Sequence, residues 1–284
     1  MLTIVVLAAL LGHPAAQDTA QFRWTGALPA GATLNVRGVV GSIRAEAASG
    51  REISVVASKT RGHHGLPENV TIRVFQDSNR VLICAIYPGS RWENDQDRGP
   101  ARDACEVAHR HRTDREENDT RVDYVVKVPA GIRFIGETIT DDVTVTGLRG
   151  PAEGYSIAGD VTMTDIRGPV VDAASISGDL TFTHIDAPQV YAGTLSGDVQ
   201  FDGAIQRRGA YELLSWSGAI AVSLPRNAGI EFDVHASSRD DLHSSVVLNP
   251  TESRRRYAGK QGDGSAKMNL TSFGGDIRIT TPER

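Results

Sequence analysis

Ser156-Ile157-Ala158-Gly159-Asp160-Val161-Thr162-Met163 is one copy of a phrase that recurs to the end of the chain. It reads Ser or Thr, apolar, small, Gly, Asp, apolar, any, apolar. Further copies are Ser175 to Phe182 (SISGDLTF), Thr194 to Phe201 (TLSGDVQF), Ser215 to Val222 (SWSGAIAV) and Ser272 to Ile279 (SFGGDIRI, read with one extra Gly). Thr138 to Val145 (TITDDVTV) carries Asp141 where Gly is expected. The copies starting at 138, 156, 175, 194 and 215 are 18, 19, 19 and 21 residues apart. A fixed period near twenty residues is the mark of a solenoid, in which each repeat is one coil stacked on its neighbours.

A second phrase marks the other half of each coil: Leu148-Arg149-Gly150-Pro151, Ile166-Arg167-Gly168-Pro169 and Ile185-Asp186-Ala187-Pro188. Each coil is therefore a strand, a bend, a second strand (Val170 to Ala174 in one copy) and the Ser-to-Asp corner. Nineteen residues cannot hold a strand, a helix and another strand, and no helical apolar period follows residue 20. The expected fold is an all-β solenoid, parallel β-helix-like, with Ile157, Ile176, Leu195 and Trp216 stacked inside it. Between Trp216 and Phe273 two diverged coils are expected, around 230–238 and 242–248, with a polar loop from Asn249 to Gly264. The last Gly-Asp-Ile-Arg-Ile strand is expected to close the sheet.

Working toward the N-terminus, Val122-Asp123-Tyr124-Val125-Val126-Lys127-Val128 alternates as a strand does. Before it, sixteen of the 31 residues from Arg91 to Arg121 are charged. Such a stretch cannot bury itself and reads as a loop. Residues 17–87 form an N-terminal β-strand region, in which Val39 to Ala45 echoes the repeat weakly. Leu2 to Leu11 is apolar except for Thr3, too short to span a bilayer but suited to a signal peptide cleaved at Ala16–Gln17. No Lys or Arg precedes Arg23, so the usual positive start is missing. The expected order is a signal peptide (1–16), the strand region (17–87), a charged loop (88–121) and the solenoid repeats (122–284), in a chain exported to the periplasm, envelope or exterior.

Export also frames the two cysteines, Cys84 and Cys105. In an oxidising compartment they would pair and tether the charged loop, with about 3 kcal/mol of chain-entropy stabilisation for a loop of that size. A zinc site from Cys84, Cys105, His109 and His111 is the alternative, against which the spacing fits no usual ligand pattern.

The net charge of −5, with both signs interspersed, argues against nucleic acid and anionic membranes as partners. The corner aspartates Asp142, Asp160, Asp179 and Asp198 should lie above one another and are candidate ligands for calcium. The plainer account is a turn: Gly adopting positive φ, Asp capping the turn through its own backbone. The column also breaks at Ala219. No nucleophile elbow, HExxH, P-loop or GxGxxG occurs, His184, His235 and His243 have no partners at diagnostic spacing, and no Arg/Lys/Asp grouping recurs on one face. No catalytic residue, cofactor or enzyme activity is expected.

The S-G-D-[LV]-x-F corners, the segments 122–132 and 217–225 and the closing Gly-Gly-Asp-Ile-Arg-Ile resemble the bacterial β-strand-repeat "putative adhesin" family, a domain-of-unknown-function family of exported proteins. The likeness runs from about residue 30 to the C-terminus, with Ser-Gly at corners where many relatives have Asn-Gly. It implies a non-enzymatic cell-envelope β-solenoid with an adhesin-like or structural role, and it carries over no ligand residues. The partner would be a surface polysaccharide or an envelope protein, met through outward residues such as Thr162, Thr181 and Gln200. A polysaccharide-active β-helix enzyme and an envelope stress or signalling partner are the alternatives.

Overall fold

The computed structural model describes residues 21–88, 118–253 and 255–281, which form strands, turns and one short 3-10 turn at Pro67–Asn69. The expected signal peptide, residues 89–117 of the charged loop, and with them Cys105, His109 and His111, lie outside the described residues. Among the described residues no helix is long and apolar enough to cross a membrane.

Seven strands precede the clear repeats: β1 (Gln21–Gly26), β2 (Thr33–Arg37), β3 (Ile43–Ala47), β4 (Ile53–Thr60), β5 (Thr71–Gln76), β6 (Arg80–Ile86) and β7 (Arg121–Val128). The repeats supply β8 (Arg133–Glu137), β9 (Val143–Thr146), β10 (Ala152–Tyr155), β11 (Val161–Thr164), β12 (Val170–Ser175), β13 (Leu180–Asp186), β14 (Gln189–Thr194), β15 (Val199–Ala204), β16 (Ala210–Ser215) and β17 (Ile220–Ser223). The remainder are β18 (Ile230–His235), β19 (Leu242–Ser244), β20 (Leu248–Pro250), β21 (Arg256–Gln261), β22 (Ala266–Ser272) and β23 (Ile277–Thr280).

The strands form two sheets, and every coil gives one strand to each. One sheet runs β1-β4-β7-β3-β9-β11-β13-β15-β17-β23-β19, the other β20-β21-β18-β22-β16-β14-β12-β10-β8-β2-β6-β5. Neighbouring coils pair in parallel and in register, so like residues stack. Val143, Val161, Leu180, Val199, Ile220 and Ile277 form one inward column. Each is fully buried. The alternation of β12, in which Val171, Ala173 and Ser175 are buried while their neighbours are not, shows why these strands read at period two. Alternate residues face the other sheet, and a single coil could not cover them alone.

Sequence order and spatial order part company at both ends. β2 and β3 are not a separate region but a full coil, paired in parallel with β8 and β9. The weak echo at Val39 to Ala45 is the corner of that coil. β6 and β7 make the next coil outward, pairing with β2 and β3, so the charged insertion leaves and re-enters at the corner of this coil. β4, β5 and β1 then run antiparallel along the outer edges. Antiparallel strands break the parallel ladder and cap the open end that a solenoid must protect.

At the other end only one diverged coil, β18–β19, occurs where two were expected. The segment expected as a second coil, 242–248, supplies β19 of that same coil, and the expected polar loop 249–264 instead holds most of a hairpin, β20–β21, which pairs antiparallel to β18 and caps that end. The last strands do not close the sheet. β22 and β23 slot between β16–β17 and β18–β19. Ile277 aligns with Ile220 there, so the final copy needs no extra-Gly shift. An edge strand offers unpaired backbone groups on one side, and either an inserted coil or a sequential one satisfies them. Periodicity alone does not choose between the two.

Candidate functional site

The repeated corner is built from four columns with different tasks. The Ser/Thr column is buried and holds the turn. Ser215 Oγ accepts the N–H of Gly218 (2.8 Å) and donates to the carbonyl of Gly197 one coil away (2.8 Å). Ser175, Thr194 and Ser272 donate equivalently to Gly159, Gly178 and Gly218. Ser215→Ala should therefore leave a buried donor and acceptor unpaired and cost about 2 kcal/mol. Ser215→Thr, mimicking Thr194, should cost much less. Urea unfolding of the two variants checks this.

The Gly column has a different cause from the one expected. None of Gly159, Gly178, Gly197 or Gly218 has positive φ. Instead, a Cβ at each would collide with the backbone carbonyl of the preceding coil. The Asp column is also a link between coils rather than a self-contained cap. Asp142 Oδ1 accepts the N–H of Asp160 (2.9 Å), Asp160 that of Asp179 (2.8 Å), Asp179 that of Asp198 (2.8 Å) and Asp198 that of Ala219 (2.7 Å). The expected break at Ala219 is real: its N–H receives the last of these bonds, and a carboxylate returns only at Asp276 on the next coil. Among the described residues no three His, Cys, Asp or Glu side chains are grouped to hold a metal ion. The four candidate calcium ligands are strung along a line instead.

The fourth column reverses an expectation. Ile157, Ile176, Leu195 and Trp216 do not stack inside the solenoid. With Phe273 they stand outside it, between 38 % and 57 % exposed. The buried Ser or Thr turns the chain so that the next side chain points outward, and the interior is filled by the strand residues. Adjacent rungs are joined by backbone bonds, such as Ser177 N–H to Ile157 O (2.9 Å) and Ser196 N–H to Ile176 O (2.8 Å). The column ends on aromatic rings: Trp216 and Phe273 have centroids 4.7 Å apart, and His235 meets Phe273 edge-on at 5.4 Å. Leu214, also exposed, widens the strip on the second sheet's outer face. Isolated exposed apolar residues are ordinary, but a contiguous row marks a contact surface.

The opposite corner brings together a group that sequence reasoning missed. A groove of about 610 Å³ is lined by Arg149, Asp165, Arg167, His184, Asp186 and Asp202, with small residues between them. Arg149, Arg167 and Asp186 are bridged rung to rung. Asp165 and His184 both take left-handed backbone conformations (φ 56° and 54°) in line with Gly147 (φ 73°), and their side chains meet at 3.1 Å. The signal was present in the second phrase, whose Arg-Arg-Asp column steps by 18 and 19. The His184 and Asp165 side chains are 69 % and 60 % exposed. In an open, wet groove they lack the excluded-water setting that acid–base chemistry exploits.

The outer face of the second sheet holds a network of ion pairs. Arg37 pairs with Glu137 (2.6 Å), Arg133 with Glu153, and the Tyr155 hydroxyl donates to Glu153 (3.2 Å). Burial raises the Asp172 carboxyl above its ordinary range despite a hydrogen bond from Tyr155 and the nearby Arg133 charge. Cys84 is buried on β6 beside Leu82. Its expected bond to Cys105 falls on a residue outside those described.

No curated protein matches this chain. Several solved structures are similar at low identity. A "putative cell adhesion protein" from Clostridium sporogenes is 11 % identical, with 92 % of this chain and 100 % of that one covered and a TM-score of 0.40. A "putative adhesin" from Bacteroides fragilis is 11 % identical over 93 % of this chain and 98 % of that one, with a TM-score of 0.36. A "putative lipid binding protein" from Parabacteroides distasonis is 10 % identical over 93 % and 98 %, with a TM-score of 0.32. The model of the family described as Toastrack DUF4097 matches residues 139–280, the span that contains the repeated corners. The chain belongs to the Toastrack DUF4097 family, a β-solenoid-like family of unknown function.

Proposed function

We propose that this chain is an exported, non-enzymatic surface protein that binds an envelope component through the repeated corner carrying Ile157, Ile176, Leu195, Trp216 and Phe273. The exposed row is the observation that supports this reading. Each of these five coils presents one exposed apolar side chain, at an interval of about 4.8 Å. A partner that touches several rungs gains from each, so modest single contacts add to a useful affinity. Nothing in the fold requires these positions to be apolar. Their burial is incomplete, and the polar residues favoured on a solvated turn would fit equally well.

Three measurements test it. Alkaline phosphatase fused behind residues 1–30 should be active, as an exported enzyme is; an inactive fusion with normal expression would overturn export. The purified protein should leave neutral and acidic polysaccharides uncut with or without calcium, and any chain cleavage would return the mixed-charge groove to consideration as an active site. Adsorption to bacterial envelope fractions should fall at least tenfold in Leu195→Ser and in Trp216→Ala. Unchanged adsorption in both would move the contact to another face.

A further inference from the structure

The apolar row does not stand alone. On four of the five rungs it is followed by a small residue and then, past the Gly, by a carboxylate; the Trp216 rung carries Ser217 and then Ala219 instead. The sets are Ile157, Ala158, Asp160; Ile176, Ser177, Asp179; Leu195, Ser196, Asp198; and Phe273, Gly274, Asp276. All twelve of these residues are exposed. The corner is thus an apolar strip, a low ledge and an acidic strip, running side by side along the solenoid axis. Among the described residues Asp160, Asp179 and Asp198 have hydrogen bonds to backbone N–H groups but no ion pair.

We propose that this corner is a docking strip for a basic amphipathic α-helix of a partner protein, lying along the solenoid axis. This rests on the reading of the corner as the binding surface and names the chemistry of its partner. The spacing supports it: five rungs span about 19 Å at roughly 4.8 Å each. Four turns of α-helix span about 22 Å at 5.4 Å per turn. One apolar side chain per helical turn therefore meets one rung, with a drift of about 2 Å over the whole strip. The ledge of Ala158, Ser177, Ser196 and Gly274 leaves room for the helix body, and lysines or arginines beside its apolar stripe reach the carboxylates. Charge argues against two other occupants. A second copy turned face to face about an axis across the strip would set aspartates against aspartates. An anionic bilayer would be repelled by the same column.

The test uses three synthetic 18-residue peptides with the purified protein. One is a leucine–lysine helix with a continuous apolar stripe, one has glutamate for lysine, and one is the lysine peptide scrambled so that no stripe forms. Binding is read by titration calorimetry at low and at 0.5 M salt. The striped lysine helix is expected to bind at least tenfold more tightly than either control and to weaken by tenfold or more in high salt. Trp216→Ala and the pair Asp160→Asn with Asp179→Asn should each weaken it at least fivefold. Asn keeps the Oδ1 acceptor that the next coil uses, so the fold is expected to survive, and an unchanged thermal midpoint checks that. Equal binding of the glutamate or scrambled peptide, no binding of the striped helix, or indifference to either set of substitutions would overturn the proposal. So would self-association abolished by Leu195→Ser, or a neutral polysaccharide displacing the helix. Failure here with ladder-dependent envelope adsorption intact would remove only the helix and leave the binding corner.

Discussion

Gly178→Ala is expected to destabilise the protein by about 3 kcal/mol or more. A Cβ at Gly178 would run into the carbonyl carbon and oxygen of Gly159 and crowd the Ser175 hydroxyl. These are backbone atoms locked into the parallel ladder, so no flexible side chain can yield. The coils must separate instead, and separation strains the Asp160-to-Asp179 and Ser175-to-Gly159 hydrogen bonds at the same corner. Overpacking that forces backbone movement costs about 1–3 kcal/mol in a core, and here linked bonds are disturbed as well. In a stacked repeat protein the damage falls on the interface between two coils, and stability is carried through such interfaces. Gly193→Ala is the control. No atom lies within 4 Å of a Cβ there, so the change should be neutral or stabilise by about 0.5 kcal/mol through the unfolded chain. Urea unfolding of the two variants decides it; equal midpoints would show that the coils can part without cost.

Phe201→Ala is the second large effect, expected at about 3–5 kcal/mol. Phe201 is fully buried between the two sheets. Its ring lies 6.5 Å from Phe182 on the neighbouring rung and 5.8 Å from Tyr211 on the facing sheet, the latter edge-on. Removing it leaves a cavity whose walls are fixed by backbone ladders on both sides and so cannot collapse. Tyr211 also bonds across the bend, donating to Ala187 O (3.1 Å) and accepting from Gln206 N–H (2.8 Å), which further resists its movement into the hole. Phe201→Leu, which keeps most of the volume, should lose no more than about half as much. A loss below about 1 kcal/mol for the alanine variant would mean that neighbouring coils relax more freely than their register implies.

Much of the architecture was legible because the fold is periodic. The interval of 18 to 21 residues, too short for a helix, selects two-strand β-coils. The in-register pairing of Val161 with Leu180, and of Thr162 with Thr181, follows from it. The corner motif was equally visible as Ser, Gly and Asp recurring together. Its causes were not. Gly178 is glycine because another chain segment passes over it, and Asp179 is aspartate because the next coil offers an N–H. Both are contacts between residues one coil apart, so neither follows from the local turn chemistry of a single copy.

The amino-acid sequence by itself determined the repeat, the strand content and the positions of the corners, since all three depend on spacing and local propensity. Tertiary structure alone decided which coils are neighbours, because an open sheet edge accepts any strand of matching length; the final coil came to lie inside the stack and β18–β21 outside it. It also decided which side of the corner faces water. An apolar residue after a buried Ser reads as core in one dimension, yet the hydroxyl occupies the inward position and leaves Ile157, Leu195 and Trp216 to the solvent. The candidate binding surface was hidden in the sequence for that reason: its residues have core chemistry, and only the fold shows that the core was already full.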